Sequence, residues 1–255
     1  MQRGDHDDLT AALVGWAETA DGVLGLVLLG STAATSHLPD DWSDHDFFVI
    51  AAPAAAERLR DSTAWLPRRR SALALHERDT AHGAWAVYDD GHLLEYAVFT
   101  PDELSLSRSD AHRVAVDRLG DLAERIRPTL APPEREPRTI ATGLHRALLV
   151  GGGRAARGER LVAHRHLLDA AGSLLVLAHL LEPAAVPVAD AQDPWRRAEQ
   201  THPALAAALE RILARGGISS AIELAELAER VAGAQPWWPS RLAAAVRARL
   251  ARADR

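Results

Sequence analysis

Two carboxylates and a Gly-Ser pair are the residues of this chain best suited to chemistry. Gly30-Ser31 ends an apolar run, Val23–Leu29; after a twelve-residue spacer, Asp44 and Asp46 open a second apolar run over 47–51. Both runs have strand length. Residues two apart on a strand project to one face, so Asp44 and Asp46 should stand side by side, with Phe48 continuing that face. Like charges that close drive one group toward protonation unless something positive sits between them. A hard divalent cation answers the need, because Mg²⁺ takes carboxylate oxygens together with a substrate's phosphate oxygens. Gly30 and Ser31 supply the other half. Glycine lets the backbone approach a ligand, and a serine at a strand-to-helix turn adds its hydroxyl to the free N–H groups of a helix start. Metal on the carboxylates and phosphates in the turn describe a nucleoside triphosphate site. The plain alternative is an ordinary turn followed by a solvated acidic strand end.

The elements around these residues read as follows. An amphipathic helix over 7–20 carries Leu9, Leu13, Trp16 and Ala17 at helical spacing. The segment 31–43 should begin as a short helix and end as a loop. Pro53 starts a helix over 53–60. Strands are expected over 71–76, 85–88 and 92–99, the last two joined by the turn signal Asp89-Asp90-Gly91. Thr100, Pro101 and Glu103 open a well-capped helix. Glu95 lies in the middle of the 92–99 strand, where a lone carboxylate is expensive to bury without a partner. Either that strand position is exposed, or the carboxylate belongs to a site.

Gly-Ser, a spacer of this length and Asp-x-Asp entering an apolar strand resemble the DNA polymerase β-type nucleotidyltransferase superfamily. The run Pro39-Asp40-Asp41-Trp42-Ser43-Asp44-His45-Asp46 is most similar to the streptomycin and aminoglycoside adenylyltransferase group. The motif covers about a tenth of the chain. The resemblance implies that Asp44 and Asp46 ligate Mg²⁺ and that Gly30 and Ser31 hold the triphosphate. It also implies that Glu95, as the third carboxylate, joins the metal site or serves as base.

The proline-rich stretch 127–137 lacks periodicity and is the expected domain boundary. Residues 1–127 would be an α/β catalytic domain with a mixed sheet. Residues 138–255 would be an all-α bundle with helices over 138–150, 158–181, 194–200, 203–215, 219–232 and 238–253. The fold class is therefore α+β, which is also the layout of the antibiotic-modifying relatives. The glycine-rich run 151–160 should join two helices; it lacks the lysine and spacing of a P-loop. Arg154 and Arg157 there are candidate phosphate ligands, and Glu159, at a helix start, is a candidate acceptor-binding or catalytic carboxylate. The plain readings are solvated arginines and a helix cap. His164 and His166 lie about 200° apart on a helix and cannot share a metal, Trp237-Trp238 should pack in the bundle, and Arg68-Arg69-Arg70 should be a solvated loop.

The composition limits the function classes. With 255 residues and 47% apolar content, a sizeable core can form. The absence of cysteine excludes disulfides and thiolate-bound metals. All basic side chains apart from histidine are arginine, and the net charge of −6 does not favour a nucleic-acid partner. The polar, acidic opening residues are unlike a signal peptide, and no apolar run reaches membrane-span length; a cytoplasmic protein with no membrane partner is expected. Taken with the resemblance, these features lead to the expectation of a Mg²⁺-dependent nucleotidyltransferase. It would move NMP, AMP from ATP being the first candidate, to a hydroxyl of a small, aminoglycoside-like acceptor. The alternatives are a toxin-type or regulatory enzyme acting on tRNA or a protein, and a nucleotide-binding module without turnover.

Overall fold

A computed structural model describes residues 3–33, 38–67, 72–109, 112–127, 136–182 and 193–253. The chain divides into two compact units, residues 1–130 and 131–255. Most of the expected boundary segment, 128–135, and the Arg68–Arg70 cluster lie outside the described residues.

The first unit is α+β. Its elements are α1 (Arg3–Thr19), β1 (Val23–Leu29), α2 (Gly30–Ala33), β2 (His45–Ala51), α3 (Pro53–Asp61), β3 (Leu73–Arg78), β4 (Gly83–Tyr88), β5 (Leu93–Phe99), a 3-10 helix (Pro101–Leu106), β6 (His112–Asp117) and α4 (Leu122–Arg125). The six strands form one mixed sheet in the order β3-β4-β5-β2-β1-β6. Only β2 and β5 run parallel; the other neighbours are antiparallel.

Alternation along the central strands separates two faces. His45, Phe47 and Val49 of β2 lie on the face covered by α1 and α3, with Leu13, Leu26, Leu28, Leu59, Leu94 and Val98 in the same core. Asp46, Phe48 and Ile50 face the other way. There Val27, Ile50, Ala97 and Phe99 pack beneath Leu104, Leu122 and Ile126. The apolar parts of β1, β2 and β5 are thus buried on both sides, and Asp46 and Glu95 stand toward the starts of β2 and β5.

Several sequence expectations change. Asp44 is not a strand residue: β2 starts at His45, because the Asp44 carbonyl is taken by side chains instead of a neighbouring strand. The helix after Thr100 is 3-10 rather than α, although its capping box is formed. Arg60, buried on α3, donates to the Val98 carbonyl and to Glu103, anchoring the far end of β5 to that helix. The edge strand β6 gave no sequence signal, since only its 114–116 centre is apolar.

The second unit is helical: α5 (Pro137–Ala156), α6 (Arg160–Leu181), α7 (Ala198–Thr201), α8 (Pro203–Arg215), α9 (Gly217–Ala232) and α10 (Ser240–Ala253). Helix α5 runs through Gly151-Gly152-Gly153 to Ala156, so the junction is only 157–159 and not the whole glycine-rich run. A Cβ at Gly151 would meet the His166 Cβ of α6 at 2.9 Å; glycine is used here for close helix packing. Trp238 is buried in the bundle core, edge-on to the His145 ring. His164 and His166 are half-buried, and His166 lies 3.7 Å from Asp169. Helix α6 is long and apolar enough to cross a membrane by composition; its buried residues, Leu167, Leu174 and Leu177 among them, face the bundle core.

Candidate active site

Parallel pairing of β2 with β5 places Asp46 directly opposite Glu95. Asp44, just ahead of β2, completes the group. One ligand oxygen from each of Asp44, Asp46 and Glu95 lies within 4.8 Å of the other two. The expected neighbourhood of the two aspartates is therefore present, with Glu95 brought in by strand register from 49 residues away in sequence.

Gly30 approaches this cluster from β1. It has φ +51°, a left-handed conformation, and a Cβ there would stand 3.0 Å from Asp46 Oδ2. Both facts call for glycine. Ser31 follows in the single turn of α2 and is buried at 5% exposure. Its Oγ has no hydrogen-bond partner among the described residues. A buried hydroxyl left this way is unusual in a folded chain and could donate to a phosphate oxygen.

Glu95 is pushed above the ordinary carboxylate range, first by desolvation and then by the negative charges of Asp44 and Asp79. Glu95 therefore lies in the negative field of two other acids, although its side chain is exposed. The donor set is all hard oxygen, which suits Mg²⁺ or a similar cation rather than a thiolate-seeking metal. The residues present fit such an ion.

Outward from Glu95, the antiparallel registers align Trp85 of β4 and then Glu77 of β3 on the same face. Trp85 is half-buried and Glu77 exposed. The sequence alone did not single out either residue; their relation to Glu95 exists only through strand pairing.

In the second unit, Glu159 is the residue before α6, but its side chain makes no capping hydrogen bond. It instead accepts from Arg154 Nη1 at 2.7 Å and from Arg157 Nε at 2.9 Å. These bonds, the Arg157 one foremost, hold its carboxyl below the usual range. Arg154 and Arg157, expected as phosphate ligands, and Glu159, expected as an acceptor contact, thus form one ion-paired cluster around the α5–α6 turn. That cluster belongs to the second unit and the triad with Gly30 and Ser31 to the first.

Sequence reasoning also missed three buried histidines behind the triad. His6, His45 and His92 are 1%, 0% and 7% exposed. The spacing Asp44-His45-Asp46 held the available signal: if the aspartates share one face, the histidine between them must enter the core, where its ring needs partners.

No protein-family model matches the chain, and no curated protein matches it. Among solved structures the chain is similar to an aminoglycoside 6-adenyltransferase from Bacillus subtilis, with 13% identity over 96% of this chain and 91% of that one and a TM-score of 0.28. At that score the likeness does not establish a common fold, and the site is read from its own residues.

Proposed function

We propose that this chain is a metal-dependent nucleotidyltransferase that moves NMP, AMP from ATP as the first candidate, to a hydroxyl of a small acceptor. The observation that supports this best is the convergence of three carboxylates within 4.8 Å beside a Gly30-Ser31 turn whose buried hydroxyl has no partner among the described residues. Asp44 and Asp46 would hold Mg²⁺, and Glu95 would either join them as a ligand or serve as base. When bound, the ion supplies Lewis-acid stabilisation of phosphate charge and eases ionisation of the attacking oxygen. Ser31 would donate its hydroxyl to a phosphate oxygen, and the Gly30 backbone would let that phosphate come close. Glu95, with its raised proton affinity, suits a base that takes the acceptor's hydroxyl proton. The acceptor oxygen would form a bond to the α-phosphorus as the bond to pyrophosphate breaks. Pyrophosphate release with each NTP, against aminoglycosides, lincosamides and tRNA, tests the reading; no release with any pair overturns it.

The strand order supports an assignment of sides. Gly30 and Ser31 lie on the β1 side of Asp46, so the triphosphate belongs there. Glu95, Trp85 and Glu77 lie outward on the β5, β4 and β3 side, which leaves that side to the acceptor. A stacking ring flanked by carboxylates favours a ring-bearing cation, as an aminocyclitol would be. Trp85→Ala should raise the acceptor KM by the equivalent of about 0.5–1.5 kcal/mol and leave the ATP KM unchanged. A change in the ATP KM alone would reverse the assignment of sides.

Glu159, ionised and fixed by two arginines, is our candidate acceptor contact from the second unit, with Arg154 and Arg157 as candidate phosphate ligands. Its ion pairs are exposed, and such pairs contribute little to stability. Glu159→Gln should therefore melt close to wild type, bind Mg²⁺–ATP normally and lose acceptor affinity or transfer rate. Full transfer activity would remove Glu159 from the site.

A further inference from the structure

The three buried histidines form a directed hydrogen-bond chain with Thr10. The Asp44 carbonyl can only accept, so His6 Nε2, 3.2 Å away, is the donor. The Thr10 hydroxyl donates its one proton to the His6 carbonyl at 3.1 Å. Its contact with His45 Nε2 at 3.0 Å must then be a bond from the ring N–H to the hydroxyl oxygen. With His45 neutral, its Nδ1 accepts, and His92 Nε2 donates to it across 2.8 Å. The His6 and His45 rings also stack, with centroids 3.9 Å apart. The chain begins just before β5, which carries Glu95. It crosses β2 between the two aspartates and reaches the Asp44 carbonyl through α1. Thr32 Oγ1 gives the same carbonyl a second, longer bond of 3.4 Å.

We propose that His6, at the end of this chain, is a positioning residue for the metal centre. Asp44 lies outside the β2 ladder, so strand pairing does not fix its peptide. The His6 donor takes over that task and sets where the Asp44 carboxylate points. The bonds from His92 through His45 to Thr10 run in one sense and end on the His6 main-chain carbonyl, and the His6 ring makes its own bond to Asp44. The inference rests on the metal-binding reading given above.

The test is Mn²⁺ affinity of the full chain, measured by electron paramagnetic resonance without and with ATP, beside the melting temperature. His6→Phe keeps a ring on His45 and removes the donor; His6→Gln restores a donor near the Nε2 position. The expected result is Mn²⁺ binding weakened about tenfold or more in His6→Phe and largely restored in His6→Gln, the range seen when groups orienting metal ligands are removed. If His6→Phe does not fold, His6→Asn, whose amide stops short of the Asp44 carbonyl, should weaken Mn²⁺ binding about tenfold. Wild-type affinity in a folded His6→Phe protein overturns the proposal, as does equal weakening in His6→Gln. Where His6→Phe is unfolded, wild-type affinity in His6→Asn overturns it. Failure of wild type itself to bind Mn²⁺ overturns the metal reading, and the positioning role with it.

Discussion

Asp46→Asn should reduce pyrophosphate release at least about a hundredfold, a barrier increase of ~2.7 kcal/mol, and should abolish Mg²⁺-dependent nucleotide binding. Asp44→Asn should do the same. The apo protein should not suffer. Asp44, Asp46 and Glu95 crowd three acids within 4.8 Å, and removal of one negative charge relieves repulsion. The melting temperature in EDTA should hold or rise, while the stabilisation that wild type gains from Mg²⁺ and ATP disappears. A variant with more than about a tenth of wild-type turnover, an effect under ~1.4 kcal/mol, would show that these aspartates do not hold the metal. A large fall in apo stability would show that they serve the fold.

Glu95→Gln should separate the two roles open to that carboxylate. As base alone, it would leave Mg²⁺–ATP affinity near wild type and lose rate by about a hundredfold or more, within the 10²–10⁴ range of general base catalysis. As ligand, it would cost affinity as well. Unchanged turnover would exclude both. The pH dependence gives an independent reading. Desolvation, followed by Asp44 and Asp79, raises the Glu95 pKa, so between its unfolded and folded values the native state binds more protons than the unfolded one. Stability of the apo protein should then be fullest below the unfolded carboxylate value and decline as pH rises through the folded one. Metal binding requires the ionised form, so Mg²⁺ affinity should climb over that same interval. Glu95→Gln should flatten the apo decline; an unchanged profile would assign it to another group.

Much of the first unit was legible because its strands are short apolar runs punctuated by glycine, proline and paired aspartates. Strand β1 matches the run Val23–Leu29, and helix α8 matches the apolar pattern between Pro203 and Arg215. The aspartate pair was readable from its spacing, whereas Glu95 is exposed on β5, so the plain alternative of an exposed strand position holds even though the carboxylate also joins the acidic cluster. Other features depended on pairing. The meeting of Glu95 with Asp46 requires knowledge that β2 and β5 are parallel neighbours, and Trp85 joins only through two further registers. The glycine run 151–153 misled because glycine usually breaks helices; Gly151 lets α5 pack close to α6 and Gly152 makes room for Leu250 and Ile218, a tertiary demand that overrides propensity. The histidine chain joins residues 6, 10, 45 and 92, which no local window contains.

The parallel β2–β5 pairing also bears on how the site comes into being. Asp46 and Glu95 cannot meet through a hairpin; the chain between them must first fold α3, β3 and β4 and return beside β2. Closure of a loop that long is entropically costly and comes before its contacts reward it. Asp44 and Asp46 are neighbours in any chain conformation, but Glu95 joins them only once β5 has docked beside β2. If all three acids hold a cation as proposed, it would act as a latch on the completed topology and favour the native sheet over every state in which β5 has not docked.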